Sequence, residues 1–310
     1  MTNVLVLGGS GMLGSMIVDV LSKDPDFRVT ASARNEAVLS TFESIYPAAR
    51  WVRFSPSSEA DTYVFDGQQW VINAIGITKP LIRDDNPVEI ENAIAINSAL
   101  PHAIGRNAAS AGAQVLQIAT DCVYSGSKGG YDENSLHDAL DVYGKSKSLG
   151  ESWQPGVHHL RCSIIGPEPK DFKFLIEWFR RQPEGAKVNG FTNHNWNGVT
   201  TLQFAKICVG VMRENLTLPH LQHVIPTGHM TKAGMLHAFA AAFQRSDIKV
   251  NDGEAKTVID RTLATVNAEM SEALWAAARY HQPPSVGEMI EELAAYPYQA
   301  STVMSGAGSA

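Results

Sequence analysis

An α/β fold built on a parallel sheet is predicted by three features of the sequence. Short apolar runs alternate with longer stretches of helical periodicity, the mark of repeated strand–helix–strand units. The first run passes directly into a glycine-rich turn that opens a helix. After about residue 166 the alternation loosens into Pro-, Gly- and Asn-rich segments, as expected where a second, smaller lobe begins.

The strands are expected at VLVL (4–7), RVTAS (28–32), WVRF (51–54), WVINAI (70–75), QVLQIA (114–119) and HHLRCSII (158–165). Between the first two, Leu13, Met16, Ile17, Val20 and Leu21 recur at three- and four-residue spacing, so a helix lays one face on the sheet. Beyond GPEPKD and the segment 182–198, helical patterns recur near 200–213, 231–243, 268–280 and 285–294. This divides the chain into a first domain over 1–166 and a substrate-binding lobe over 167–299, parts of which pack back on the first. A small, polar tail over 300–310 should fray in solvent.

The turn after the first strand reads GGSGMLG, with Gly8, Gly11 and Gly14 at three-residue intervals. Glycines let the backbone turn tightly and approach a pyrophosphate, whose charge then sits on the free N–H groups and positive dipole of the helix N-terminus. In this strand–turn–helix context the motif predicts a dinucleotide site on a Rossmann-type, doubly wound sheet. An NAD site usually offers an acid at the end of the second strand, but here RVTASAR ends with Ser32, Ala33 and Arg34. An arginine suits a 2′-phosphate, so NADP (as NADPH) is favoured and NAD remains open.

Composition narrows the class of protein. In 310 residues, 25 basic and 32 acidic side chains give a net charge of −7 without long like-sign runs, which argues against a nucleic-acid partner. No apolar run is long enough to cross a membrane, and the N-terminus has no charged leader, so a cytoplasmic protein is expected. Cys122, Cys162 and Cys208 form no CxxC pair, and the ten histidines have no ligand spacing, so no metal site is expected. His158 and His159 lie within a strand pattern and read as structural. The sequence does not decide the oligomeric state; a homodimer is compatible with it.

YGKSK (143–147) places Tyr143 and Lys147 four apart, on one face of a helix, where their polar ends can converge. A fixed ammonium near a phenol favours the phenolate and brings proton exchange into a useful range. The lysine can also hold a nicotinamide ribose. Upstream, Thr120 and Asp121 follow the fifth strand at the carboxyl edge, where ligands of open α/β sheets bind.

Together these pieces resemble the Ser/Thr–Tyr–Lys triad of the extended short-chain dehydrogenase/reductase family, here Thr120, Tyr143 and Lys147. The resemblance covers roughly residues 3–166, through GGSGMLG, VINAIG, IAINSALPHAIGRNA, ATDCVYSG, YDE, DVYGKSKSLGE and LRCSIIGP. It is strongest toward nucleotide-sugar 4-keto reductases of the dTDP-4-dehydrorhamnose reductase type. The resemblance implies cofactor contacts from Ser10, Met12 and Leu13, from Asn73, Ala74, Ile75 and Gly76, and from Asn97, Cys162 and Ser163. It implies reduction of the C4 ketone of a 6-deoxy nucleotide sugar, with Asp121 and Cys122 facing the substrate. The related 4,6-dehydratases carry Asp-Glu after the threonine; Asp121-Cys122 lacks that base, which disfavours dehydration. An NAD-dependent epimerase and a non-catalytic, cofactor-binding regulatory subunit of the same fold are the rival readings. The loop GFTNHNWNGVTT (190–201) departs from the reductase pattern, and Asn193, Trp196 and Asn197 are its candidate substrate contacts.

Overall fold

The computed structural model describes residues 1–55 and 59–300. The chain opens with β1 (Thr2–Leu7), α1 (Met12–Ser22), β2 (Phe27–Ala33), α2 (Glu36–Ile45), β3 (Arg50–Arg53) and β4 (Trp70–Asn73). A long helical passage follows: α3 (Pro87–Ala93), a π-helical turn over Ile94–Ala99 and α4 (Leu100–Ser110). The ladder lapses there because Pro101 has no N–H to give the Asn97 carbonyl. Then come β5 (Gln114–Ala119), α5 (Val142–Leu149) and β6 (Val157–Arg161).

The remainder contributes β7 (Ile164–Ile165), α6 (Leu175–Arg180), β8 (Lys187–Phe191), β9 (His194–Trp196), β10 (Val199–Thr200) and α7 (Thr201–Glu214). It ends with β11 (Leu221–His223), β12 (Met230–Thr231), α8 (Lys232–Ala242), β13 (Lys249–Gly253), β14 (Ile259–Asp260), α9 (Ala268–Ala277) and α10 (Val286–Ala295).

Seven strands form the main sheet in the order β11-β6-β5-β4-β1-β2-β3, with every pairing parallel. The order reverses between β1 and β4, the switch point at which doubly wound sheets open a ligand crevice. Strand β1 is buried on both faces: Val4 and Val6 join one core with Met16 and Ile17 of α1, while Leu5 and Leu7 join another with Leu100 and Ile104 of α4.

One expected strand is redrawn and one strand is added. HHLRCSII is not one strand: β6 ends at Arg161, and Ile164–Ile165 pairs with Val199–Thr200 in a separate ladder. Cys162 and Ser163 make the bend between them, which turns both residues into the crevice. The main sheet also takes β11 from residues 221–223, a strand too short to show a sequence period.

Helix α7 packs on α1, and residues 296–300 lie along the same helix. Tyr298 Oη lies 2.6 Å from Ser15 Oγ, and the Gln299 N–H donates to the buried Asp19 carboxylate (2.9 Å). Of the tail expected over 300–310, Ala300 is buried and donates its N–H to Tyr46 Oη; the rest lies outside the described residues. Among the described residues no helix is long and apolar enough to cross a membrane.

Candidate active site

A cleft of about 590 Å³ lies at the carboxyl edge of the sheet over the switch point. One wall is the glycine turn. Gly8 has φ +79°, in the region glycine favours, and a Cβ at Gly14 would run into the Gly8 carbonyl oxygen. The turn is held from below by the Ser32 hydroxyl, which accepts the Gly8 N–H (3.1 Å). Gly11 is the N-cap of α1 and supplies no side-chain cap, and no acid occupies the helix's first turn. The N-terminal end of α1, with Gly11, Met12 and Leu13, therefore faces the cleft with its dipole uncompensated, which fits a dinucleotide pyrophosphate.

The opposite wall comes from the loop after β4. Ala74, Ile75 and Gly76 line the cleft, whereas Asn73 and Asn97 are buried behind them. Asn73 donates to Gln117 (2.7 Å) and accepts the Ile75 N–H (3.0 Å). Asn97 accepts the Ile77 N–H (2.8 Å) and donates to the Ile77 carbonyl (2.9 Å) and to Ser146 Oγ (3.2 Å). Both amides are consumed in shaping the wall. They position the site rather than line it, because an amide with unpaired backbone groups nearby bonds that backbone first.

Thr120 and Asp121 begin the 3₁₀ turn after β5, with Thr120 Oγ1 accepting the Cys122 N–H (3.2 Å). Helix α5 is started by Asp141, whose carboxylate accepts the Gly144 N–H (2.9 Å) and pairs with Lys79 (2.8 Å). This start places Tyr143 and Lys147 on the face that lines the cleft, beside Thr120. Just past the helix, Glu151 pairs with the buried Arg161 at the end of β6 (2.5 Å), pinning that segment to the sheet.

The electrostatics differ from the sequence expectation in one respect. Burial pushes the Tyr143 phenol above its usual range; Cys122, Asp121 and Asp141 act in the same direction, and a hydrogen bond with Thr120 opposes them. Lys147 is half-buried, desolvation in the cleft lowers it to about 8, and its ammonium donates to the Ile118 carbonyl (3.2 Å). Burial thus sets the direction of the phenol's shift, and the influence opposing it comes from Thr120 and not, as expected, from Lys147. Asp121 is raised by burial against the pull of Arg261 and Lys232, and the Cys122 thiol is pushed up to about 12.

Of the remaining expected residues, Cys162, Ser163 and Trp196 line the cleft, as do Asp121 and Cys122. Gly8, Ser10 and Gly14 do not; they form the underside of the turn. Arg34 is exposed just beyond β2 and meets no hydrogen-bond or ion-pair partner among the described residues. Asn193 and Asn197 leave the substrate wall. Asn193 is locked to the backbone of Ala255 through both amide atoms (2.9 and 3.0 Å), and Asn197 likewise to Leu263 (2.7 and 2.8 Å). Each amide staples one loop to another, which is turn chemistry rather than recognition. The sequence reading missed Lys232, Lys79 and Glu168, which line the cleft, because isolated charges in loops and helix starts carry no pattern. No group of three His, Cys, Asp or Glu among the described residues is placed to hold a metal ion.

The family model described as RmlD substrate binding domain matches residues 1–295. A search of curated proteins gave no match. Among solved structures, a dTDP-4-dehydrorhamnose reductase from Yersinia enterocolitica aligns with TM-score 0.70 at 16% identity, covering 95% of this chain and 99% of that one. The Bacillus anthracis dTDP-4-dehydrorhamnose reductase in complex with NADP gives 0.68 at 16%, covering 94% and 99%. A UDP-glucuronic acid 4-epimerase from Bacillus cereus, in complex with UDP-glucuronic acid and NAD, gives 0.73 at 13%, covering 98% and 99%. At these identities the likeness establishes the fold that reductases and epimerases of nucleotide sugars share.

Proposed function

The chain belongs to the RmlD substrate binding domain family, and on that premise we propose that it is an NAD(P)H-dependent reductase of a 4-keto nucleotide sugar. The observation that carries this reading is the convergence of Thr120, Tyr143 and Lys147 on one cleft whose other wall is the uncapped N-terminus of α1. A non-catalytic binding subunit has no use for that convergence.

In this mechanism the turn at Gly11–Leu13 would bind the cofactor's pyrophosphate and Lys147 would hold its ribose, and a nicotinamide held there would supply the hydride that the carbonyl carbon needs. Tyr143 carries the proton: burial keeps its phenol neutral until a ketone oxygen beside it gains charge, and the proton then passes from Oη to that oxygen. Thr120, hydrogen-bonded toward the same phenol, donates to the developing oxyanion. Dehydration of the sugar is not supported, since the position after Asp121 holds a thiol raised to about 12 instead of a carboxylate base. Exposed, unpartnered Arg34 at the end of β2 supports NADPH over NADH.

The test is a direct assay. Purified protein is mixed with NADPH and a dTDP-4-keto-6-deoxyhexose, and loss of the reduced nicotinamide is followed together with the appearance of the 4-hydroxy sugar. Stoichiometric conversion is expected. Protein that arrives with tightly held NAD and interconverts 4-epimers without net oxidation would replace this reading with the epimerase.

A further inference from the structure

Lys232 occupies the first turn of α8, with no acid in that turn to offset it. A cation at a helix N-terminus faces the positive end of the dipole, an unfavourable place on local grounds. Its side chain is half-buried and lines the cleft, with the ammonium 5.8 Å from the ring centre of Trp196. Burial holds it below the usual lysine range, with Asp121 and Cys122 pulling it up and Arg261 pushing it down. Yet Lys232 makes no hydrogen bond or ion pair with any described residue.

The neighbouring cations are already committed. Arg261 donates to the carbonyls of Tyr124 (2.8 Å) and Ser125 (3.2 Å), and Lys79 pairs with Asp141. Lys170 and Lys173 stand exposed at the rim. An ammonium with unused donors therefore lines one end of the cleft, which Thr120, Asp121, Cys122 and Tyr143 also line. The Asp121 carboxylate lies close by, raised by burial and drawn back down by Arg261 and Lys232.

We propose that Lys232 is a recognition residue for an anionic oxygen group that the substrate carries within one sugar ring of the reacting carbonyl. Two parts of a nucleotide sugar meet that description: a carboxylate on the sugar, or the inner phosphate of the diphosphate. The inference rests on the nucleotide-sugar reading above and adds the charge that the substrate must bear at this point.

The experiment measures binding by calorimetry on protein saturated with NADP⁺, so that no turnover occurs. UDP-glucuronic acid, UDP-glucose and UDP are titrated into wild type, Lys232→Met and Lys232→Arg, and the dTDP counterparts are run in parallel. Loss of a charge-assisted hydrogen bond should weaken the anionic ligand about ten- to hundredfold in Lys232→Met, with substantial recovery in Lys232→Arg. If only UDP-glucuronic acid weakens, the group is a sugar carboxylate; if all three weaken together, it is the inner phosphate. Unchanged affinities for all three in a Lys232→Met protein that melts and binds NADP⁺ as wild type does would overturn the inference and leave the reductase reading standing. Wild-type protein that binds NADP⁺ but none of the nucleotides would overturn both.

Discussion

The Lys147 ammonium donates to the carbonyl of Ile118 (3.2 Å), two residues before Thr120, so the helix that carries Tyr143 is tied to the strand that presents its hydrogen-bonding partner. The tie crosses from α5 to β5 and holds the helix carrying Tyr143 against the strand that leads into Thr120. The lysine thus organises the site in addition to the ribose contact proposed for it.

Because Lys147 is lowered to about 8 by burial, its charge is lost as pH rises through that value. Its function should fade on the same side: kcat/KM for ketone reduction is expected to fall above about pH 8, while the acid side is set by other groups. Stability follows the opposite trend. Between the folded value and the ordinary lysine value the unfolded chain binds more protons, so stability contributed through this group rises with pH across that window. Lys147→Met removes the buried charge and should raise the melting temperature at neutral pH while abolishing activity. A melting temperature that drops, with activity kept, would mean that the ammonium is a structural prop and not a burdened functional group.

Tyr143→Phe keeps the ring and removes the proton. Turnover should fall by something like ~10²–10⁴-fold, the usual reach of general acid catalysis, with NADPH affinity nearly unchanged. The fall should be in kcat rather than in KM. Wild-type turnover in the Phe variant would make Tyr143 a packing residue and end the mechanism proposed here.

Much of this architecture is legible in the sequence because it repeats. The strands β1, β2, β4 and β5 are apolar runs bounded by turn residues, and the glycine spacing needs no context beyond its strand and helix. The long helices of the second half keep their period, so the expected 200–213 and 285–294 emerge as Thr201–Glu214 and Val286–Ala295. What is not legible is set by single side chains meeting across large sequence separations. Nothing near Asn197 announces that its amide will be taken by the backbone of Leu263, and nothing near Lys232 announces Asp121. The break in HHLRCSII was hidden for another reason: Cys162 and Ser163 are as compatible with a strand as with the bend they form.

Arg34 should read the 2′-phosphate of NADPH. It is exposed and unpartnered at the end of β2, so its substitution disturbs little else. Arg34→Ala is expected to weaken NADPH about tenfold or more, the scale of one charge-assisted contact, and to leave NADH within twofold or so of wild type. Fluorescence titration of both cofactors measures it, and an unchanged preference would assign discrimination to another residue.

The loop 190–201 supplies a prediction in which neighbours behave oppositely. Trp196 lines the cleft, while Asn197 beside it is spent on Leu263 through two hydrogen bonds. Trp196→Ala should therefore raise KM for the sugar nucleotide, because an aromatic surface against the substrate is removed. Asn197→Ala strands a buried N–H and a buried carbonyl of Leu263, each costing on the order of 1–3 kcal/mol when unsatisfied. It should lower the melting temperature with KM little changed, and Asn193→Ala should do the same more weakly, since Asn193 is less deeply buried. The three variants are compared by thermal melting and by initial rates on one substrate. A KM effect from Asn197→Ala as large as that from Trp196→Ala, in protein melting at the wild-type temperature, would return the asparagine to the substrate wall.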